Sequence, residues 1–408
     1  MIFPLRSSLA SDRFLLACAA GAIVTSGCVR PAAHYAVETA ISSAYRPMSD
    51  GPLLGTARGT GASDVILAGD MHCHVSPPDH PLEASRDPAA TVVLAREEKL
   101  DFLVLTPHVP ALFFEDAPSR AHVVREQEEL RRALAAASDG RTTFVVGMEY
   151  TDHAHGHVGV SFVDLAGVFA DLPVEEAYAH PGRFFEKVVA HGGVLVVNHP
   201  LSTPLDSSLP MARADLSWRP FTGSAKVPEE IAAVNRLAQG IEAYNMVVTH
   251  LRDRYLLGDT PQTLLATLAR TDREILAQQR RLTPVGGSDS HVDYLRPTTF
   301  VRARDRSERA IRDAIVSGRT CVRAPEACTF EVRAPSGTWQ TVGSTLAVSE
   351  TIEARAPGGA LEVLVDGVSK ATAEKGEIVK VSLPARCSVV RARVDEGFSA
   401  PIYVGCSF

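Results

Sequence analysis

The chain has 408 residues, with 41 Lys and Arg against 48 Asp and Glu, a formal net charge of −7 and 45% apolar residues. That length exceeds one ordinary domain and suits a barrel with insertions followed by a smaller domain. The mild acidic excess, without any Lys/Arg cluster, excludes the electrostatic footprint of a nucleic-acid binder.

Arg6 and Arg13 precede an apolar run from Phe14 to Thr25, which leads into Ser26-Gly27-Cys28. The run is too short for a permanent membrane span, and small residues before a cysteine suit a signal peptidase. Val-Thr-Ser-Gly-Cys resembles a bacterial lipobox, with Thr25 standing where Leu is usually preferred. The expectation is a signal peptide over 1–27 and lipidation of Cys28. The product would be an exported lipoprotein, periplasmic or anchored to the outer membrane; the plainer alternative is a simple secretory signal. Residues 28–63, rich in Ala, Ser, Gly and Pro without a period, read as a flexible tether.

From Val65 onward short apolar runs alternate with amphipathic stretches. The runs are Val65 to Ala68, Phe102 to Leu105, Phe144 to Gly147, Val194 to Val197, Ile241 to Tyr244 and Pro284 to Gly286. Continuous apolar strands imply burial on both faces. Helical stretches fall between them at about 89–99, 119–137, 181–190, 228–237, 262–279 and 307–317. This βαβ alternation predicts a parallel sheet. A further strand, Val158 to Leu165, follows the group His153, His155 and His157. Beyond Arg319 the texture changes to alternating segments separated by Gly, Pro and Ser, which reads as a compact all-β sandwich.

The apolar strands end in ligand-type residues. The first reads Gly-Asp-Met-His-Cys-His, with a further histidine at His80; the others lead to His108, Glu149, His199, Glu242 and the pair Asp289 and His291. Residues i and i+2 of a strand share a face, so His72 and His74 can grip one ion together. In a parallel α/β barrel the C-terminal strand ends converge, and side chains distant in sequence meet there. Taken singly, a buried histidine is usually a hydrogen-bonded structural residue; the recurrence at six strand ends argues for metal. Imidazole with carboxylate suits two or three divalent Zn, Mn or Fe ions better than Ca or Mg.

These motifs carry a resemblance to the PHP superfamily, named for polymerase and histidinol phosphatase domains. It runs from about Ala68 to Cys321. It rests on Gly-Asp-Met-His-Cys-His with His80, Leu-Val-Leu-Thr-Pro-His, Gly-Met-Glu with the following histidines, Val-Asn-His-Pro, Ile-Glu-Ala-Tyr-Asn and Gly-Gly-Ser-Asp-Ser-His. The Ser-Gly-Arg-Thr run and the closing Ala-Pro-Ile-Tyr-Val resemble the carbaryl hydrolase-like subgroup. The resemblance implies a distorted (β/α)7 TIM-like barrel over 64–322, followed by the small β-sandwich domain over 323–408. It implies a di- or trinuclear site that activates water for phosphoester hydrolysis, with a small anionic molecule as substrate. His72, His74, Glu149 and Asp289 would surround one metal, Glu149 bridging to a neighbour. His80, His108 and His291 would hold a second, and His199 with His157 would complete a third. His155 is the runner-up to His157, and Asp79 competes with His80. The family often has Asp before the His108 position, where this chain has Pro107.

Asp289, His291 and Glu149 are the expected catalytic residues, Asp289 or a histidine managing protons. Glu242, Asn245 and Arg296 are weaker candidates for substrate contact, with a second hydrogen-bonding layer or a surface ion pair as the plainer readings. Asn198 would orient a neighbour. Asp70 would lock an imidazole tautomer or cap a strand end. Arg213, Trp218 and Arg219, in a long insertion after His199, are candidates for recognition or ordinary loop residues. Cys73, between two histidines, should face away from the metal as a buried apolar residue. Cys321, Cys328, Cys387 and Cys406 allow three connectivities; pairing in sequence order is the expectation. Carbamate, ester or amide hydrolysis by the same activated water is the alternative chemistry. A non-catalytic, surface-anchored binding protein is the alternative class. An amidohydrolase barrel is disfavoured because no rim strand offers a bridging lysine.

Overall fold

The computed structural model describes residues 64–81, 83–152, 155–201, 218, 227–246, 264–292, 294–335 and 337–408. Cys28, the signal and tether segments, His153, Arg213 and Arg219 lie outside the described residues. The Gly-Asp-Met-His-Cys motif closes β1 (Val65–Cys73), buried on both faces from Ile66 onward. Then follow β2 (Phe102–Leu105), β3 (His108–Pro110), β4 (Thr143–Val146), β5 (Met148–Asp152), β6 (Gly156–Ser161), β7 (Val194–Val197), β8 (Gly240–Asn245), β9 (Thr283–Gly287), β10 (Thr299–Ala303) and β11 (Thr320–Val322).

The helices are α1 (Pro88–Glu97), α2 (Ala117–Ala137), α3 (Leu165–Ala170), α4 (Val174–Ala179), α5 (Gly182–Ala190), α6 (Glu229–Ala232), α7 (Val234–Leu237), α8 (Leu264–Gln278) and α9 (Glu308–Val316). Asp87, Asp116 and Ser307 start α1, α2 and α9 by accepting a hydrogen bond from the N–H three residues on. Prolines occupy the first turn of α1 and α2, where a missing N–H costs nothing.

The architecture is mixed α/β. β1 pairs parallel with β2, β2 with β4, β3 with β5, β7 with β8 and β8 with β9. The expected parallel run is interrupted at β6, which is antiparallel to both β5 and β7. The cause is chain length. Only residues 153–155 separate β5 from β6, and a parallel crossover needs about a dozen residues.

β1 changes partner along its length. Val65 to Gly69 pair antiparallel with β10, while the motif end turns to the segment after β9. There Asp289 N donates to His72 O at 2.8 Å and His74 N to Ser290 O at 3.0 Å. This switch lays the first histidine motif directly beside the Ser-Asp-Ser-His motif.

The C-terminal strands are β12 (Glu331–Arg333), β13 (Gln340–Thr341), β14 (Thr345–Leu346), β15 (Thr351–Arg355), β16 (Leu361–Val365), β17 (Val368–Ala373), β18 (Val379–Ser382), β19 (Ser388–Val394), β20 (Gly397–Ser399) and β21 (Ile402–Val404). β12, β13, β15 and β18 form a four-stranded sheet, whereas β14, β16, β17 and β19–β21 extend the sheet that holds β1. One apolar cluster joins Val332, Ile352 and Val381 of the small sheet to Val363, Val390 and Ile402 of the large one, and to Ile66 and Phe300 of β1 and β10. Cys321 is bonded to Cys328 and Cys387 to Cys406, in sequence order. Cys73 is a buried free thiol among Val75, Val92, Leu103 and Leu105, as its odd position in His-Cys-His requires. Among the described residues no helix is long and apolar enough to cross a membrane.

Candidate metal centre

β1 delivers His72 and His74 to one face, with their Nε2 atoms 3.2 Å apart. The parallel register of β3 with β5 sets His108 opposite Glu149, and His108 Nδ1 lies 3.0 Å from Glu149 Oε2. From the other side of β5, His157 on β6 places Nδ1 3.2 Å from Glu149 Oε1, and His199, just past β7, places Nε2 3.4 Å from it. After β9, Asp289 Oδ1 stands 3.4 Å from His72 Nε2 and 3.3 Å from His74 Nε2. His291 Nε2 meets His108 Nε2 at 3.1 Å.

The ligand atoms converge in three overlapping groups: His74 with His108 and His291; His72 with His74 and Glu149; and Glu149 with His157 and His199. Glu149 and His74 each belong to two of them. Except for partly exposed His108, these residues are buried.

A surrounding layer fixes the imidazoles. Glu242 Oε1 lies 3.0 Å from His72 Nδ1, Asp79 Oδ2 3.0 Å from His74 Nδ1, and the Asp289 carbonyl 3.0 Å from His291 Nδ1. An Nδ1–H donated to each oxygen leaves the Nε2 lone pairs turned inward. Asn198 donates to Glu149 at 2.8 Å, and Asn245 donates to Asp289 at 3.0 Å and Glu242 at 3.1 Å. Thr151 Oγ1 is 3.2 Å from His108 Nδ1.

The donor set fits divalent metal. The Nε2 lone pairs of His72 and His74, facing each other at 3.2 Å, have no proton to share once both Nδ1 atoms are protonated, and a cation between them removes the repulsion. Glu149 Oε2 and Asp289 Oδ1 are buried with imidazole nitrogens alone beside them, which is costly unless a proton or a cation meets them. Burial would lower the His72 pKa, but Asp289, Glu149 and Glu242 hold it well above the ordinary value. Burial likewise opposes protonation of His199, yet Glu149 raises it to about 9. Burial and then the crowded His74 push His291 well below. Against their own burial, Glu149 and Asp289 are held well below the usual carboxylate range, chiefly by His157 and His72 for the first and by His72 for the second. In the metal-free protein, protons thus take the place of cationic charge.

His199 and Asp289 have φ of 26° and 53°, a left-handed backbone that non-glycine residues adopt at a cost and that clusters at functional sites. Gly287 allows the close approach: a Cβ there would collide with the Glu242 carboxylate and with His72.

Of the residues singled out in the sequence, His72, His74, His108, Glu149, His157, His199, Asp289 and His291 are brought together. His80 is not. It is exposed and belongs to none of the three groups among the described residues, while its neighbour Asp79 is buried and takes the inward position. Asp79 reaches His74 Nδ1 and accepts from His108 N at 2.7 Å. Glu242 and Asn245, 1% exposed each, hydrogen-bond the ligands: Glu242 lies beside His72, and Asn245 donates to Asp289 and Glu242. Arg296 pairs with Glu98 at 3.2 Å and donates to the Tyr294 hydroxyl, the surface ion pair of the plainer reading. His155 turns to Asp152 at 2.6 Å. Trp218 is fully buried and donates to Asn235, so it packs. Asp70 accepts from the backbone of His72 and Ser288, tying the two motif strands rather than an imidazole, and burial raises its pKa to about 6.

Arg86 gave no signal in the sequence. Only 1% exposed, it donates to the carbonyls of His74 and Val292 and to Ser290 Oγ, clamping both motif loops from behind. A lone arginine in a loop carries no period, so only the fold reveals its place.

No family model matches the chain, and no curated protein matches it in sequence. Among solved structures it is similar to a two-domain protein containing a predicted PHP-like metal-dependent phosphoesterase from Bacteroides vulgatus ATCC 8482. That likeness has 20% identity and a TM-score of 0.43, over 86% of this chain and 94% of that one. PsfC from Pseudomonas syringae PB-5123 is similar at 16% identity and TM-score 0.34, over 58% of this chain and 82% of that one. Endonuclease Q, bound to a 27-mer duplex with an abasic lesion, is similar at 14% identity and TM-score 0.34, over 62% and 56%.

Proposed function

We propose that the chain is a metal-dependent hydrolase of the PHP superfamily, built on a distorted (β/α)7 barrel with a C-terminal β-sandwich over 323–408, and that it cleaves phosphoesters. The observation that carries this reading is the set of three overlapping ligand groups sharing Glu149 and His74. His72, His74, Glu149 and Asp289 would hold one divalent ion, His108 and His291 a second, and Glu149, His157 and His199 a third, the single Nε2 lone pair of His74 serving only one of the first two. Zn, Mn and Fe all suit this mixture of imidazole and carboxylate. When bound, such ions lower the pKa of water and neutralise phosphoryl oxygens.

The chain's own groups supply orientation and proton handling. Glu242 and Asp79 fix the tautomers of His72 and His74; Asn198 and Asn245 hold the two inner carboxylates in place. Asp289 or a histidine of the centre takes the proton of the attacking water. Water oxygen joins phosphorus, the P–O bond to the alcohol breaks, and a proton ends on the departing alcohol. His291 lies beside Asp289, with Nδ1 3.9 Å from its Oδ1.

Export through the 1–27 signal with lipidation of Cys28 belongs to the same proposal, supported by the two disulfides, which persist in oxidising compartments. Aryl phosphates and aryl carbamates offered to the Mn- or Zn-loaded enzyme test the chemistry. Phosphate release is expected; turnover of carbamates alone would replace phosphoester cleavage with carbonyl hydrolysis.

A further inference from the structure

A cleft of about 1080 Å³ opens beside the metal centre, between the ends of β3 and β5 and the helices α4 to α7. Its size is at the upper end of small-molecule sites. Thr151 belongs to both places: it lines the cleft and its Oγ1 touches His108 Nδ1 at 3.2 Å. Pro110, two residues past His108, and His155, two before His157, line it as well. A molecule reacting at the centre therefore has this cleft as adjoining space.

The lining is apolar below and acidic above. Phe114, Tyr150 and Phe184, core residues only 5%, 4% and 1% exposed and packed on one another with Phe114 and Phe184 ring centroids 4.5 Å apart, back the floor, and Leu112 is 60% exposed at the rim. Five carboxylates and two guanidiniums line it; Asp152, Glu230 and Glu186 are paired with His155, His180 and Arg183, and Glu115 and Glu229 stand against Arg236, so the balance stays negative even with both histidines protonated. One of the guanidiniums, Arg183, is already committed to Glu186 at 2.5 Å and Glu176 at 3.6 Å. An anionic group entering here would be disfavoured, and an apolar cation would find apolar walls beside carboxylates.

We propose that this cleft is the leaving-group subsite, and that it selects phosphoesters of apolar alcohols that are neutral or carry a positive charge, such as an aryl or alkylammonium group. The inference rests on the hydrolase reading and adds to it the chemistry of the alcohol. The substrate's single anionic part is then the phosphoryl group held at the metal centre.

The test compares three phenyl phosphates that differ only at the para position, bearing trimethylammonium, nitro or carboxylate, on the metal-loaded enzyme. KM should be about tenfold lower for the cationic than for the anionic ester, and Leu112→Lys, at its exposed rim position, should narrow that ratio. Calorimetric titration with phenyltrimethylammonium, which carries no phosphate, should show saturable binding that weakens in both Leu112→Lys and Glu229→Lys. Equal KM for the cationic and anionic esters, or binding unaltered in both variants, overturns the subsite. Absence of turnover for every ester overturns instead the hydrolase reading on which it stands.

Discussion

Glu149 is the residue on which most of the site depends, because each of its oxygens faces imidazoles from two directions. Glu149→Gln keeps the shape but loses the charge, and should lower bound metal by at least one ion per chain. Around it, the carboxylates that orient imidazoles should matter nearly as much as the ligands. Glu242→Ala and Asp79→Ala are each expected to cost about 10–100-fold in metal affinity or activity, read by metal titration and steady-state rates. A larger loss for His80→Ala than for Asp79→Ala would contradict the placement of Asp79.

The metal-free protein carries a pH signature of its own. His199 is raised from 6.5 to about 9, so its contribution to stability is complete below 6.5 and is lost as pH rises through 9. Glu149 and Asp289, both depressed, contribute above the ordinary carboxylate pKa and lose that contribution in acid. Chelator-stripped protein should therefore melt at progressively lower temperature between pH 6.5 and 9, a fall absent from metal-loaded protein. A flat metal-free profile would argue against protons standing in for metal charge.

At the scale of elements, the period-two spacing of His72 and His74 and the apolar runs ahead of each motif were legible, because strand geometry ties sequence spacing to direction. The choice between Asp79 and His80 was not, since a turn has no fixed period to say which neighbour points inward. The antiparallel β6 was readable in principle from its three-residue link to β5, although the strand–helix alternation around it masked the signal. Gly287 and Arg86 act between elements and leave no local pattern. Gly287→Ala would drive a methyl group into His72 and Glu242, and should cost about 1–3 kcal/mol together with metal affinity. Arg86→Met should destabilise by about 3 kcal/mol or more, since several buried carbonyls lose their donor at once. Urea unfolding measures both.

Across the whole molecule, the sequence showed a change of texture near Arg319 but not that the later strands continue the sheet of β1. Long-range pairing of this kind, such as β11 with β20, depends on contacts that no local window contains. A buried ion pair fastens the two parts: Arg391 on β19 meets Asp272 on α8 at 2.5 Å, with each side chain 2% exposed. Arg391→Met would leave Asp272 uncompensated, at a cost of about 3–5 kcal/mol. A melt that splits into two transitions in that variant would show that the pair couples the parts, whereas an unchanged melt would show that it does not.

The central claim is a multinuclear centre assembled around Glu149, and metal content tests it most directly. Protein purified without chelator and saturated with Zn or Mn should retain two or three ions per chain after gel filtration, falling by at least one in Glu149→Gln. Fewer than two ions in the unaltered protein would contradict the account.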